Sequence, residues 1–214
     1  MFAEKARWRL LLTASHGALV LLSLGFTSCA LRADDACYVE PCYEGEGLQE
    51  LWKVNKGVGF TGVAAGVFST AIASVGLALF GWAALDPRRE AGAGVLVGVF
   101  LGATACTALL MLDQFAVWCA EWNLVGDLTD LSPDNGVFTE SGRRMHVHRD
   151  LLATFKALVG LAAATGAVQV GVVAQLALAQ HDVTAHLRLR GGTSEREIAT
   201  EKQPLRAMHG DIHV

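Results

Sequence analysis

The sequence predicts an all-α membrane protein: a four-transmembrane-helix bundle with two long outer loops and both termini on the inner, cytoplasmic or matrix-equivalent, side. Three observations carry that prediction. Four stretches, 10–31, 57–85, 91–112 and 157–179, hold no charged side chain. A helix rises about 1.5 Å per residue and a bilayer core is about 30 Å thick, so each stretch is long enough to span. The composition agrees: 52% of residues are hydrophobic, 18% are charged, and mean hydropathy is +0.38. The charges gather in the connections 32–56, 86–90 and 113–156 and in the tail. The 214 residues divide into a four-helix transmembrane domain, 1–180, and a polar inner tail, 181–214.

Span one follows a basic start, Lys5, Arg7 and Arg9. Secretory signals have apolar regions of about 7–15 residues, so this longer one reads as an uncleaved span. Loop one is acidic and carries Leu48, Leu51 and Trp52 at helical spacing, which predicts a short amphipathic helix at the membrane surface. Pro87 breaks the helix after span two and sets a tight hairpin to span three. Ser132-Pro133-Asp134-Asn135-Gly136 marks a turn in loop three. The tail, rich in both charge signs and poor in aromatics, is expected to be flexible or ordered by a partner.

Orientation follows from charge. Loop one holds six acids and loop three holds seven of the 21, while the N-terminus, loop two and the tail hold ten of the 17 basic residues. Basic residues near span ends favour the cytoplasmic side, which places both long loops outside. Trp8, Trp52, Trp82, Trp118 and Trp122 fall near the expected interfaces, where indole is favoured.

Apolar surface gains little by meeting apolar surface in lipid, so small residues and polar pairs must hold the helices together. Gly62 and Gly66 in span two, Gly94, Gly98 and Gly102 in span three, and Gly166 and Gly171 in span four are the candidate contact positions. Gln169, mid-span in span four, is the candidate interhelical hydrogen-bonding residue. Cys37, Cys42, Cys29 and Cys119 are disulfide candidates on the outer side, either as a local Cys37–Cys42 bridge or as a clamp from loop one to Cys119. Cys106 is a packing residue within span three.

No catalytic grouping is evident, and no span as bounded here has a central Asp, Glu, Arg or Lys. That absence counts against a proton pump or an ion-coupled transporter; no enzyme is expected, and a transporter or channel is the least favoured reading. His16 lies within span one, but haem ligation ordinarily takes a second buried His, and spans two to four have none. His146 and His148 share a face in an extended strand, but a solvated loop explains them as well. Neither a metal nor a cofactor is expected. Net charge of −4 gives no basis for nucleic-acid binding. The expected partners are membrane lipids and other membrane subunits, or the chain itself, met through glycine faces and outer loops.

The layout of residues 1–180 resembles the four-span claudin-like superfamily of claudins, peripheral myelin proteins and amastins. Gly47-Leu48 with Leu51-Trp52 is similar to the claudin Gly-Leu-Trp, with two residues intervening, and Cys37 and Cys42 precede that Trp rather than follow it. The resemblance implies a non-enzymatic role in membrane organisation, adhesion or assembly through the outer loops, in a plasma membrane or an organelle inner membrane. The alternative is a small structural subunit of a large respiratory or photosynthetic complex.

Overall fold

The computed structural model describes the backbone of residues 2–34, 36–37, 39–40, 54, 56–81, 93–130, 136–138, 144–147 and 149–207. Four helices, α1 (Phe2–Asp34), α2 (Lys56–Gly81), α3 (Ala93–Asp130) and α4 (Arg149–Ala207), make up almost all of it. Each contains a segment long and apolar enough to cross a membrane: Leu10–Asp34, Gly57–Gly81, Val97–Asp127 and Leu151–Leu178. The protein is thus a multi-pass integral membrane protein.

Helices α1, α3 and α4 outrun their charge-free stretches, α3 and α4 by the most. Span three was expected to stop before Asp113, yet α3 runs on to Asp130. One charge does not end a helix whose next residues, Phe115 to Trp118, continue the apolar run; Pro133 does, since it disfavours α geometry before it. Span four was expected from 157, yet α4 starts at Arg149. Asp150 in its first turn suits the positive end of the helix dipole. From there Leu151, Phe155, Leu158 and Ala162 present one buried face. The backbone of α4 also stays helical to Ala207, through the stretch expected to be flexible or ordered by a partner. Leu, Arg, Glu, Ala and Lys, all good helix formers, supply 14 of the 27 residues 181–207, although Gly191, Gly192 and Pro204 among them disfavour a helix.

Each helix packs on the next in chain order, and α4 closes the ring against α1. Ala30 neighbours Gly62 while His16 neighbours Gly76, so α1 and α2 run antiparallel. Trp118 stacks on Phe155 and Gly98 faces Gln180, so α3 and α4 do too. Four crossings put the connection from α1 to α2 and that from α3 to α4 on one face of the bundle.

There the all-α expectation needs an addition. Strands β1 (Val39–Glu40), β2 (Gly136–Phe138) and β3 (Arg144–Val147) form an antiparallel sheet in the order β1-β3-β2. Val39 pairs with Val147, and Glu40 with His146; Val137 pairs with Met145. Strands of two to four residues are too short to show an alternating pattern. The base of loop one is pinned as well, because Val54 N–H donates to the Ala36 carbonyl at 3.2 Å and Val54 is buried. The surface helix expected at 47–52, Trp52, Trp82, Cys42 and His148 lie outside the described residues.

Candidate functional site: a polar layer between two apolar clusters

The core is divided along the membrane normal. One cluster, at the end that carries the sheet and called outer after the orientation the charges predict, joins Phe26, Ala30, Ala65, Met111, Trp118, Phe155 and Leu158. An inner cluster joins Leu12, Leu19, Ala73, Phe80, Phe100, Val172 and Leu176. Between them, every helix contributes buried polar side chains: Ser23 from α1, Ser69 from α2, Thr104 and Thr107 from α3, Thr165 and Gln169 from α4.

Most of these hydroxyls are committed to their own helix. Thr104 donates to the Phe100 carbonyl at 2.8 Å, Thr107 to that of Thr104 at 2.9 Å and Thr165 to that of Leu161 at 2.6 Å. One bond crosses the bundle: Gln169 Nε2 donates to Ser69 Oγ at 3.0 Å, linking α4 to α2. Gln169 Oε1 and Ser23 Oγ are buried without a partner. A buried polar atom in that state is costly, and a water held by two or more such groups is the usual remedy.

Two further polar groups flank the layer. On the outer side Trp118 Nε1 donates to Gln114 Oε1 at 3.2 Å, and the Gln114 amide reaches Thr61 Oγ1 at 3.5 Å. Trp118 is fully buried, not at the lipid interface where its position in the sequence put it. Trp122 does lie towards the outer end, with the Lys156 ammonium 5.6 Å from its ring centroid. On the inner side His16 is buried, and its Nδ1 lies 2.7 Å from the Leu12 carbonyl. A carbonyl only accepts, so Nδ1 carries the proton and Nε2 offers a lone pair. Nε2 has no partner, and the ring is held by Phe80 and Phe100 with centroids at 5.3 and 5.9 Å.

The glycines divide into two sets. At Gly62 a Cβ would lie 3.1 Å from the Trp118 ring, 3.2 Å from Gln114 Oε1 and 3.4 Å from Ala30. At Gly66 it would meet Thr27 and Phe26 of α1. Gly98 faces Gln180 Nε2 at 3.2 Å, and Gly166 faces Met111 at 3.8 Å. Gly102 and Gly171 have nothing within 4 Å, so neither serves the helix contact expected of it within the chain. The surroundings of Gly94 lie outside the described side chains. Gly59, against the Asp34 backbone, and Gly76, against the His16 ring, complete the α1–α2 contact. Both continue the helical spacing of Gly62 and Gly66 and were legible on that ground.

Cys29 and Cys119 are free thiols, as is Cys106, so the expected clamp between loop one and Cys119 is not formed. Among the described residues no group of three or more His, Cys, Asp or Glu is placed to hold a metal. Among the described residues no carboxylate or imidazole hydrogen-bonds a hydroxyl of the layer. What the arrangement does is fix the rotation and register of four helices, because any slip strands buried polar atoms in an apolar medium. A Ser69→Ala, Gln169→Ala double-mutant cycle, read by unfolding in mixed micelles, is expected to give a coupling of about 0.6–1.7 kcal/mol, the range for interhelical hydrogen bonds.

No family model, characterised protein or solved structure matches the chain, so the functional reading rests on these residues and their geometry alone.

Proposed function

We propose that the protein is a non-enzymatic membrane-organising or adhesion protein, a claudin-like four-span scaffold that acts through its outer loops. The observation that carries this reading is the β1–β3 pairing. It ties the loop after α1 to the loop before α4, so that the bundle supports one joined outer unit. The pinned base at Ala36 and Val54 supports the same reading. A Cys37–Cys42 disulfide belongs to it: Cys37 is buried and stands apart from the three free thiols. Such a bond needs an oxidising compartment, which agrees with the outer placement of both long loops and the inner placement of both termini.

Two populations of vesicles carrying the full chain, loops outward, are expected to cluster. Met145→Pro removes a backbone donor from the middle of β3 and should abolish clustering, with the spans still helical by circular dichroism. Wild-type vesicles that stay dispersed would overturn the adhesive reading. The second reading, a structural subunit of a larger membrane assembly, is favoured by one separate observation: α3 keeps an exposed face with a carboxylate at membrane depth.

A further inference from the structure

The extension of α3 moves Asp113 from the end of a span to its interior. It lies within the Val97–Asp127 segment, between the polar-layer residues Thr104 and Thr107 and the segment's outer end. That segment has 31 residues, so wherever a core of about 30 Å is placed along it, Asp113 is inside, at least about 6 Å from the nearer boundary. Asp113 is thus a charged residue within the membrane-crossing part of α3, which the bounds 91–112 left outside the span. Neighbouring contacts place it in the outer half: Gln114, beside it, reaches Thr61 and lies against Gly62, the fifth and sixth residues of the Gly57–Gly81 segment, whereas Thr104 and Thr107 of α3 lie in the polar layer.

Asp113 does not face the polar layer. Gln114, beside it, is buried, whereas Asp113 is exposed on the outside of the bundle and has no hydrogen bond or ion pair among the described residues. An intramembrane carboxylate normally faces the bundle interior or a partner. Long basic side chains escape by reaching to the interface, but the short Asp side chain lacks that reach.

The face around it has the form of a helix seam. Val99, Gly102, Cys106, Leu109, Asp113 and Ala116 recur at alternating intervals of three and four, and all are exposed. That spacing is the one by which two helices interlock, with a polar residue selecting the partner. Small residues at 102, 106 and 116 allow close approach.

We infer that this α3 face docks a transmembrane helix of a different protein, one that carries a Lys or Arg in the outer half of the membrane opposite Asp113. A second copy of this chain is the wrong occupant. Across the same seam it would set Asp113 against Asp113. The cations described within its spans, Arg32 and Lys156, stand on α1 and α4 and not on this α3 face, and Lys156 is already over Trp122. This inference deepens the subunit reading and is independent of the outer sheet.

The test uses the full chain in phosphatidylcholine vesicles with host single-span Leu-rich peptides carrying Lys, Leu or Asp in the outer half, level with Asp113, read by energy transfer. The wild-type chain should bind the Lys peptide about tenfold more tightly than the Leu peptide. Asp113→Asn should lose that preference with its thermal unfolding unchanged, because the side chain is exposed. Asp113→Lys should prefer the Asp peptide. Equal binding of Lys and Leu peptides by the wild-type chain, or a preference that survives in Asp113→Asn, would overturn the inference. A Cys106–Cys106 crosslink forming on oxidation of the chain alone would also overturn it, by giving the face to a second copy. Vesicle clustering should be unchanged in Asp113→Asn, so the adhesive reading and this one fail separately.

Discussion

Replacing Gly66 with alanine is expected to lower stability in micelles by about 2 kcal/mol, while Gly102→Ala leaves it unchanged or slightly raised. Both changes add one methyl to a glycine inside an apolar helix, so helix propensity favours alanine equally at each. The difference is what the methyl meets. At Gly66 it would lie 3.1 Å from a Phe26 ring carbon and 3.2 Å from Thr27 Cα, and closer still to the Thr27 hydroxyl. The hydroxyl cannot turn away without giving up its 2.7 Å bond to the Ser23 carbonyl. A Cα cannot turn away at all, so α1 and α2 must separate. At Gly102 the methyl meets nothing within 4 Å. The midpoints of thermal or detergent unfolding for the two variants check the contrast. Equal effects at the two positions would mean that glycine spacing, rather than the particular α1–α2 contact, sets stability.

That contrast marks what the chain made legible and what it did not. The four crossings were readable because an uncharged stretch of such length has one stable solvent. Gly62 and Gly66 were readable as contact positions by the same logic that named Gly102 and Gly171. Spacing shows which glycines share a face, but not whether that face meets a neighbouring helix or lipid. The ends of α3 and α4 were misplaced because charge was used as the boundary. Asp113 and Lys156 are tolerated within helices whose flanking residues stay apolar. Correcting α3 by that one feature changes the chemistry most: it buries Gln114 and Trp118, and it leaves Asp113 on an outward face at membrane depth. The polar layer was half visible. Gln169 stood out as a lone amide in an apolar run, whereas Ser23, Ser69 and the threonines were camouflaged. Ser and Thr are ordinary in membrane helices because they bond to their own backbone. Only the three-dimensional arrangement shows that they fall at one level between Phe26 and Leu19 on α1, and between Ala65 and Ala73 on α2.

Truncating Trp118 is expected to be the most damaging single change in the outer half of the bundle. Its ring is wholly buried, stacks on Phe155 with centroids 5.6 Å apart and an interplanar angle of 42°, and adjoins Gly62. In a soluble core, Trp→Ala costs about 3–5 kcal/mol. Lipid tails are as apolar as the bundle, so the transfer part of that cost is reduced here, and the cavity and lost dispersion contacts remain. The expected loss for Trp118→Ala is about 3 kcal/mol, at the lower end of that range. Trp118→Phe separates the two contributions. It keeps much of the packing against Phe155 but removes the Nε1 donor, leaving Gln114 Oε1 buried without its 3.2 Å bond. An unsatisfied buried acceptor costs about 1–3 kcal/mol, so Trp118→Phe should fall by about 1 kcal/mol or more despite filling most of the space. Adding Gln114→Leu to Trp118→Phe should then recover part of the loss, because the stranded amide is gone. A double variant less stable than Trp118→Phe would show that the Gln114 link to Thr61, at 3.5 Å, outweighs the bond to the indole. The α2–α3 contact, the sparsest of the four in the ring, would then be held at its outer end by that amide.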